Sequence, residues 1–161
     1  MKKKTKIYWL ILLFFAIDLI SKQIIVRVID LHETVRIIPK FFYLTYVQNE
    51  GAAFSIFQNQ QVLILLVTVF ALFFINNYLK NNNVNKLEMF SYSMVTGGIL
   101  GNLFDRLCFG YVIDFFDFRF WSYQYPIFNI ADIFIVVGVI LLMIYSFIEW
   151  RREHESKVRS K

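Results

Sequence analysis

One cysteine, two histidines, two prolines and few charges bound what this chain of 161 residues can be. Cys108 alone excludes an internal disulfide and any cysteine-rich metal site. With His32 and His154 as the only histidines, no H-E-x-x-H can be written, which sets aside zinc hydrolases of the usual kind. No G-x-S-x-G occurs. A phosphate-binding loop is also absent, because Gly97, Gly98 and Gly101 lie within an apolar helix pattern rather than after a strand. Charged residues make up only 18% of the chain, against 58% hydrophobic and 19% aromatic, a balance foreign to a soluble domain of this size. The class is a polytopic membrane protein, with no cofactor or metal expected.

The net charge of +5 has meaning by position. Basic residues gather at Lys2, Lys3, Lys4 and Lys6, at Lys80 and Lys86, and at Arg151, Arg152, Lys157, Arg159 and Lys161. No basic folded face suited to nucleic acid is visible, so none is expected as a partner. Basic segments flanking apolar runs instead mark the cytoplasmic side of a membrane.

The first run, Ile7 to Val26, is long enough to cross a core of ~30 Å at ~1.5 Å per residue. It is too long for a signal-peptide core and no small-x-small cleavage site follows, so it reads as an uncleaved span with a cytoplasmic amino end. Asp18 and Lys22 interrupt it four residues apart, on one helical face, with the acid first. The pair reads either as structural, neutralising itself or with Lys22 snorkelling to the outer interface, or as functional.

Residues 30–57 are not a span. The aromatic and β-favouring run Phe41 to Val47, the turn Asn49-Glu50-Gly51 and a returning Ala52 to Phe57 predict a small extracytoplasmic hairpin. The second span is Val62 to Leu79 and the third about Leu87 to Phe109. The third is chemically different: Ser91, Ser93, Thr96, Gly97, Gly98 and Gly101 allow close backbone approach, and Gly98, Asn102 and Asp105 recur at helical spacing. After Gly110, half of the positions from Tyr111 to Phe128 are aromatic, which predicts an interfacial belt whose loop from Phe116 to Tyr125 moves as a lid. The last span is Ile130 to Trp150. Four spans with basic segments on one side put both termini in the cytoplasm and Asp114, Asn129 and Asp132 near the outer surface. No repeat or second domain is visible, so residues 1–161 read as one unit.

Carboxylates at a bilayer need a partner or a task. If Asp114, after the third span, met Asp132, at the start of the fourth, the two would share a proton and titrate as a pair. One carboxylate would then act as base on a water while the protonated partner polarises a carbonyl, the chemistry of metal-free peptide hydrolysis. Asn129 lies three residues before Asp132 and also suits a helix cap. Blander readings stand beside these: Asp132 as an acid favoured by the helix dipole, and Asp105 with Arg106 as an ion pair. Two other classes stay open: a proton-coupled carrier relaying through Asp18, Lys22, Asp105 and Arg106, and a noncatalytic adaptor. No duplicated half supports the carrier.

Five short motifs in order carry a resemblance: Asp18-Leu19-Ile20-Ser21-Lys22, Asn49-Glu50-Gly51-Ala52-Ala53-Phe54, Gly97 to Arg106, Val112-Ile113-Asp114-Phe115 and Phe128-Asn129-Ile130-Ala131-Asp132. Together they resemble the lipoprotein signal peptidase (signal peptidase II) family, with Ser21 standing where threonine is more usual. The resemblance implies an all-α membrane protein of four transmembrane helices, with an extracytoplasmic β-cradle around residues 41–58 and an interfacial aromatic loop or helix. It implies an aspartic endopeptidase of the bacterial cytoplasmic membrane that cuts prolipoproteins just before a diacylglyceryl-modified cysteine. Asp114 and Asp132 would be its catalytic pair. Asp18, Lys22, Asn49, Gly51, Asn102, Asp105, Arg106 and Asn129 would shape and brace the site. Lipid-modified prolipoproteins and membrane lipids would be its partners, and the chain would act as a monomer.

Overall fold

The structure, a computed structural model, describes residues 3–51, 61–121 and 123–159. Helix α1 spans Lys3–Val28, strand β1 Thr34–Ile38, strand β2 Phe42–Asn49, helix α2 Gln61–Asn81 and helix α3 Lys86–Phe109. Strand β3 (Val112–Phe120), strand β4 (Tyr123–Gln124) and helix α4 (Ile130–Arg159) complete the chain. The architecture is mostly helical, with a small antiparallel sheet in the order β1-β2-β3-β4.

Among the described residues, three helices are long and apolar enough to cross a membrane: Thr5–Val28, Gln61–Asn81 and Ile130–Glu155. The expected third span, α3, forms a helix but falls outside that set. Its buried residues, Ser91, Ser93, Gly97, Gly98, Gly101, Asn102 and Asp105 among them, explain why. Helix α3 packs its small and polar face against α1, α2 and α4 and leaves Phe90, Phe104 and Leu107 exposed on another, whereas α2 buries none of its residues. A face packed closely against other helices needs small and polar side chains more than greasy ones. Asn85 starts α3 with a capping box shared with Glu88, and Gly110, at φ 82°, ends it in the left-handed conformation.

Close approach is enforced at Gly97, Gly98, Gly101 and Gly138. A Cβ on Gly101 would collide with Asp18 Oδ2, and one on Gly98 would stand 2.5 Å from the Ala131 carbonyl oxygen. Both crossings, α1 on α3 and α3 on α4, therefore meet at the same turn of α3.

The sheet departs from the predicted hairpin. The partner of β2 precedes it: β1 pairs antiparallel with β2, with Thr34 opposite Thr45. The expected return strand Ala52 to Phe57 lies outside the described residues. The other partner of β2 is the aromatic stretch itself. Expected as an interfacial loop or helix, it forms strands β3 and β4, and β3 is hydrogen-bonded along β2. The reason is readable after the fact. In Val112–Phe120, residues alternate between two environments: Asp114, Phe118 and Phe120 line a pocket, while Ile113 and Phe115 join Ile25, Ile29 and Tyr46 in a buried cluster against α1. Four of these aromatics, Phe118, Phe120, Tyr125 and Phe128, line the pocket, with Phe42 and Phe118 stacked at 4.7 Å and Phe118 and Phe128 at 5.8 Å.

Candidate active site

The expected capping role of Asn129 is realised. Its side-chain oxygen accepts from the Asp132 backbone N–H at 3.0 Å, and Asp132 Oδ2 accepts from the Asn129 N–H at 3.1 Å. The next free N–H of this helix end, on Ala131, donates to Asp18 Oδ1 at 2.9 Å. Two carboxylates thus sit at the amino end of α4, where unpaired N–H groups and the helix dipole favour negative charge.

Asp18 and Lys22 pair as their spacing predicts, at 2.8 Å, and both are fully buried. The second partner of Lys22 is Asp105, at 2.9 Å, and its third is Asn102 Oδ1, at 2.9 Å. The expected Asp105–Arg106 pair does not form, because successive residues on a helix point about 100° apart. Asp105 turns toward α1, where it also accepts from the Ile113 N–H at 3.1 Å. Arg106 turns into the pocket and donates to the Asn102 and Gly51 carbonyl oxygens. The Asp18–Lys22–Asp105 cluster is saturated by its neighbours, which suits a brace rather than a proton relay.

Asn102 and Asn129 extend this brace to the two remaining carboxyls. Asn102 Nδ2 donates to Asp132 Oδ1 at 2.9 Å. Asn129 Nδ2 donates to Asn102 Oδ1 at 3.0 Å and to Asp114 Oδ1 at 2.6 Å. On the far side Asn49 Nδ2 donates to Asp114 Oδ2 at 2.8 Å, while Asn49 Oδ1 accepts from the Gly51 N–H and so closes the predicted turn. All ten expected site residues therefore belong to one connected network contributed by α1, β2, α3, β3 and α4. Among the described residues no three His, Cys, Asp or Glu side chains are grouped as metal ligands would be. Here the carboxyls face Lys22, asparagine amides and backbone N–H groups.

Asp114 and Asp132 line one pocket of about 690 Å³. Its polar end holds Asn49, Asn102 and Arg106, and the rest is walled by Phe118, Phe120, Tyr125, Phe128 and α4 residues such as Ile133 and Val136. Burial, followed by the negative charge of Asp132, pushes the Asp114 carboxyl up to about 7, against the opposing hydrogen bonds of Asn49 and Asn129. Burial beside a second carboxylate disfavours ionising both groups together.

The sequence reading missed Asp117, Thr45, Arg119 and Gln124, which meet on the other side of the sheet. The available signal was the alternation in Asp114-Phe115-Phe116-Asp117, which places two aspartates on opposite faces of one strand.

The solved structures that this helical bundle with its buried carboxyls resembles are membrane enzymes. Two structures described as bacterial membrane enzymes, solved by the in meso method at 2.3 and 1.9 Å, superpose with TM-scores of 0.81 and 0.77. They share 29% and 30% identity with this chain, covering 89% and 88% of it and 88% and 92% of their own lengths. The chain belongs to the family Signal peptidase (SPase) II, whose pattern it matches over residues 10–148. It is 40% identical to the lipoprotein signal peptidase of Haemophilus ducreyi, over 91% of this chain and 94% of that relative. Identity is also 40% to that of Haemophilus influenzae, over 95% and 90%, and 37% to that of Halothermothrix orenii, over 91% and 97%.

Proposed function

We propose that this chain is an aspartic endopeptidase that cleaves prolipoproteins just before their diacylglyceryl-modified cysteine, with Asp114 and Asp132 as its catalytic pair. The observation that carries the reading is the convergence of these two carboxyls, from different elements, on one pocket in a signal peptidase II family member.

In this mechanism the pair holds one proton. The carboxylate takes a proton from a water lying between the two, and the water oxygen attacks the scissile carbonyl carbon. The protonated partner delivers its proton to the carbonyl oxygen, giving a neutral gem-diol. Collapse returns a diol proton to one carboxylate while the other donates to the departing cysteine amine, and the C–N bond breaks. Asn102, Asn129 and Asn49 hold the carboxyls in place, and Arg106 keeps the polar end of the pocket anchored to Gly51. The apolar walls of Phe118, Phe128, Ile133 and Val136 suit the acyl chains, so that the lipid fixes the scissile bond against the carboxyls.

On the same reading α3 is the fourth span, residues 1–161 form one monomeric domain, both termini are cytoplasmic and the pocket opens near the outer face. The test uses purified protein, a diacylglyceryl-modified prolipoprotein peptide and a chelator. Wild type cleaves before the modified cysteine, whereas Asp114→Asn and Asp132→Asn, folded as judged by thermal unfolding, lose about 10²-fold or more of kcat. Full cleavage by either variant would show that residue to be structural.

A further inference from the structure

Two aspartates sit three residues apart on β3 and face opposite ways. Asp114 looks into the pocket. Asp117 is fully buried on the reverse face and is held by three side chains, from β2, from β4 and from its own strand. Thr45 Oγ1 of β2 donates to its Oδ2 at 2.8 Å, and Gln124 Nε2 of β4 donates to its Oδ1 at 3.1 Å. Arg119 closes an ion pair on it through Nε and Nη2, and the same guanidinium lies 4.1 Å from the centre of the Tyr43 ring on β2. Thr45 continues the chain to β1, its hydroxyl 3.0 Å from that of Thr34. One buried carboxylate thereby ties together all four strands.

The place where it grips is informative. Leu44 stands opposite Phe116, but the next aligned pair is Val47 with Asp114, so β2 carries one extra residue at Thr45-Tyr46. This is a β-bulge, and a one-residue shift reverses which side chains face which side of a sheet. Before the bulge, odd-numbered Tyr43 and Thr45 lie with Asp117 on the reverse face. After it, odd-numbered Asn49 lies with Asp114 on the pocket face and donates to it. Without the bulge Gln48 would occupy that face instead. The bulge carries its reverse-face hydrogen bond through Thr45, and the acceptor is Asp117.

We infer that Asp117 is a positioning residue for peptide hydrolysis: its clamp on Thr45 fixes the β2 bulge, and the bulge delivers Asn49 to Asp114. The inference rests on the proposed role of Asp114. The clamp is built to persist near neutral pH. Burial raises the Asp117 carboxyl, but the hydrogen bonds of Arg119 and Thr45 and the Arg119 charge outweigh it and hold the group below the usual range. It stays ionised where Asp114 titrates.

The experiment compares wild type with Asp117→Asn, Thr45→Val, Thr45→Ser, Asn49→Ala and the double variant Asn49→Ala/Asp117→Asn on the lipidated peptide. Kinetic constants, the pH dependence of kcat/KM and thermal unfolding are measured for each. Asp117→Asn and Thr45→Val are expected to lower kcat about 10- to 100-fold with KM within about twofold. They also move the basic limb of the profile upward, as Asn49→Ala does, because a hydrogen bond favouring ionised Asp114 is lost. The other charges facing Asp114, Asp132 from α4, Arg106 and Asp105 from α3 and Lys22 from α1, are unchanged in all variants, so the limb reports Asn49. Thr45→Ser keeps the hydroxyl and restores the wild-type limb. In the Asn49→Ala background, Asp117→Asn moves the limb no further.

A wild-type limb in both Asp117→Asn and Thr45→Val overturns the inference, even if both are less stable, since the clamp then only holds the fold. If Asp117→Asn does not fold, Thr45→Val alone decides in the same way. Absent cleavage by wild type, or full cleavage by Asp114→Asn, strikes the proposed function instead.

Discussion

Asp114 and Lys22 are the two side chains whose surroundings most constrain their chemistry. Asp114 reaches about 7 because it is buried beside the charge of Asp132. On the proposed mechanism the form with one shared proton is the working one, so raising the pH through about 7 removes that proton and leaves two negative carboxyls. The kcat/KM profile is therefore expected to fall on a basic limb near 7, measured on the lipidated peptide between acid and alkaline buffers. A flat profile through that range would detach Asp114 from catalysis. Lys22 is the single cation inside a buried cluster with Asp18 and Asp105. Lys22→Met leaves two uncompensated carboxylates and is expected to cost about 3–5 kcal/mol, seen as a large drop in thermal unfolding temperature in detergent. Adding Asp18→Asn and Asp105→Asn to that variant should restore part of the loss, because a neutral cluster no longer needs a counter-charge.

Among the elements, α3 is the spine that every other helix leans on, and two of its glycines serve it for different reasons. Gly101 is required by a neighbour, since a Cβ there would collide with Asp18 Oδ2. Gly110 has open space around it and is required only by its φ of 82°. Gly110→Ala is thus expected to cost about 1–2 kcal/mol of stability and leave cleavage near wild type. Gly101→Ala should displace Asp18 from the amino end of α4 and reduce cleavage as well as stability. Equal effects of the two substitutions on cleavage, measured at a temperature where both are folded, would contradict this division. The sheet makes the same point with strands: β3 carries a pocket wall on one face and the clamp on the other.

For the whole molecule, the chain offers its own topological probe. Cys108 is the single cysteine, and it is exposed at the end of α3 nearest the pocket. On the proposed topology a membrane-impermeant thiol reagent added to intact spheroplasts labels Cys108 without permeabilisation. In the background Cys108→Ser, a cysteine placed at Ser160 is labelled only after permeabilisation. The reverse pattern would invert the orientation and put the pocket on the cytoplasmic face.

The apolar runs, the Asp18–Lys22 pair, the Asn49 turn and the Asn129–Asp132 cap were all legible in the sequence. Each depends on residues within about four positions of one another, and local spacing fixes which face they share. The five motifs also marked all ten members of the polar network. What stayed hidden was every choice between distant partners. Asp105 selects Lys22, 83 positions away, over its neighbour Arg106, because helix packing and not adjacency sets reach. Strand β2 pairs with β1 and with the aromatic β3, which sequence density had suggested as a loop, because the buried cluster of Ile25, Tyr46, Ile113 and Phe115 rewards that pairing. Asp117 read as unremarkable until β2 and β4 closed on it. The sequence by itself determined the membrane class, the helices and the chemical groups available. Tertiary structure decided which carboxyls are neutralised and which two face an open pocket, since a charge inside a protein is defined by its nearest partner in space.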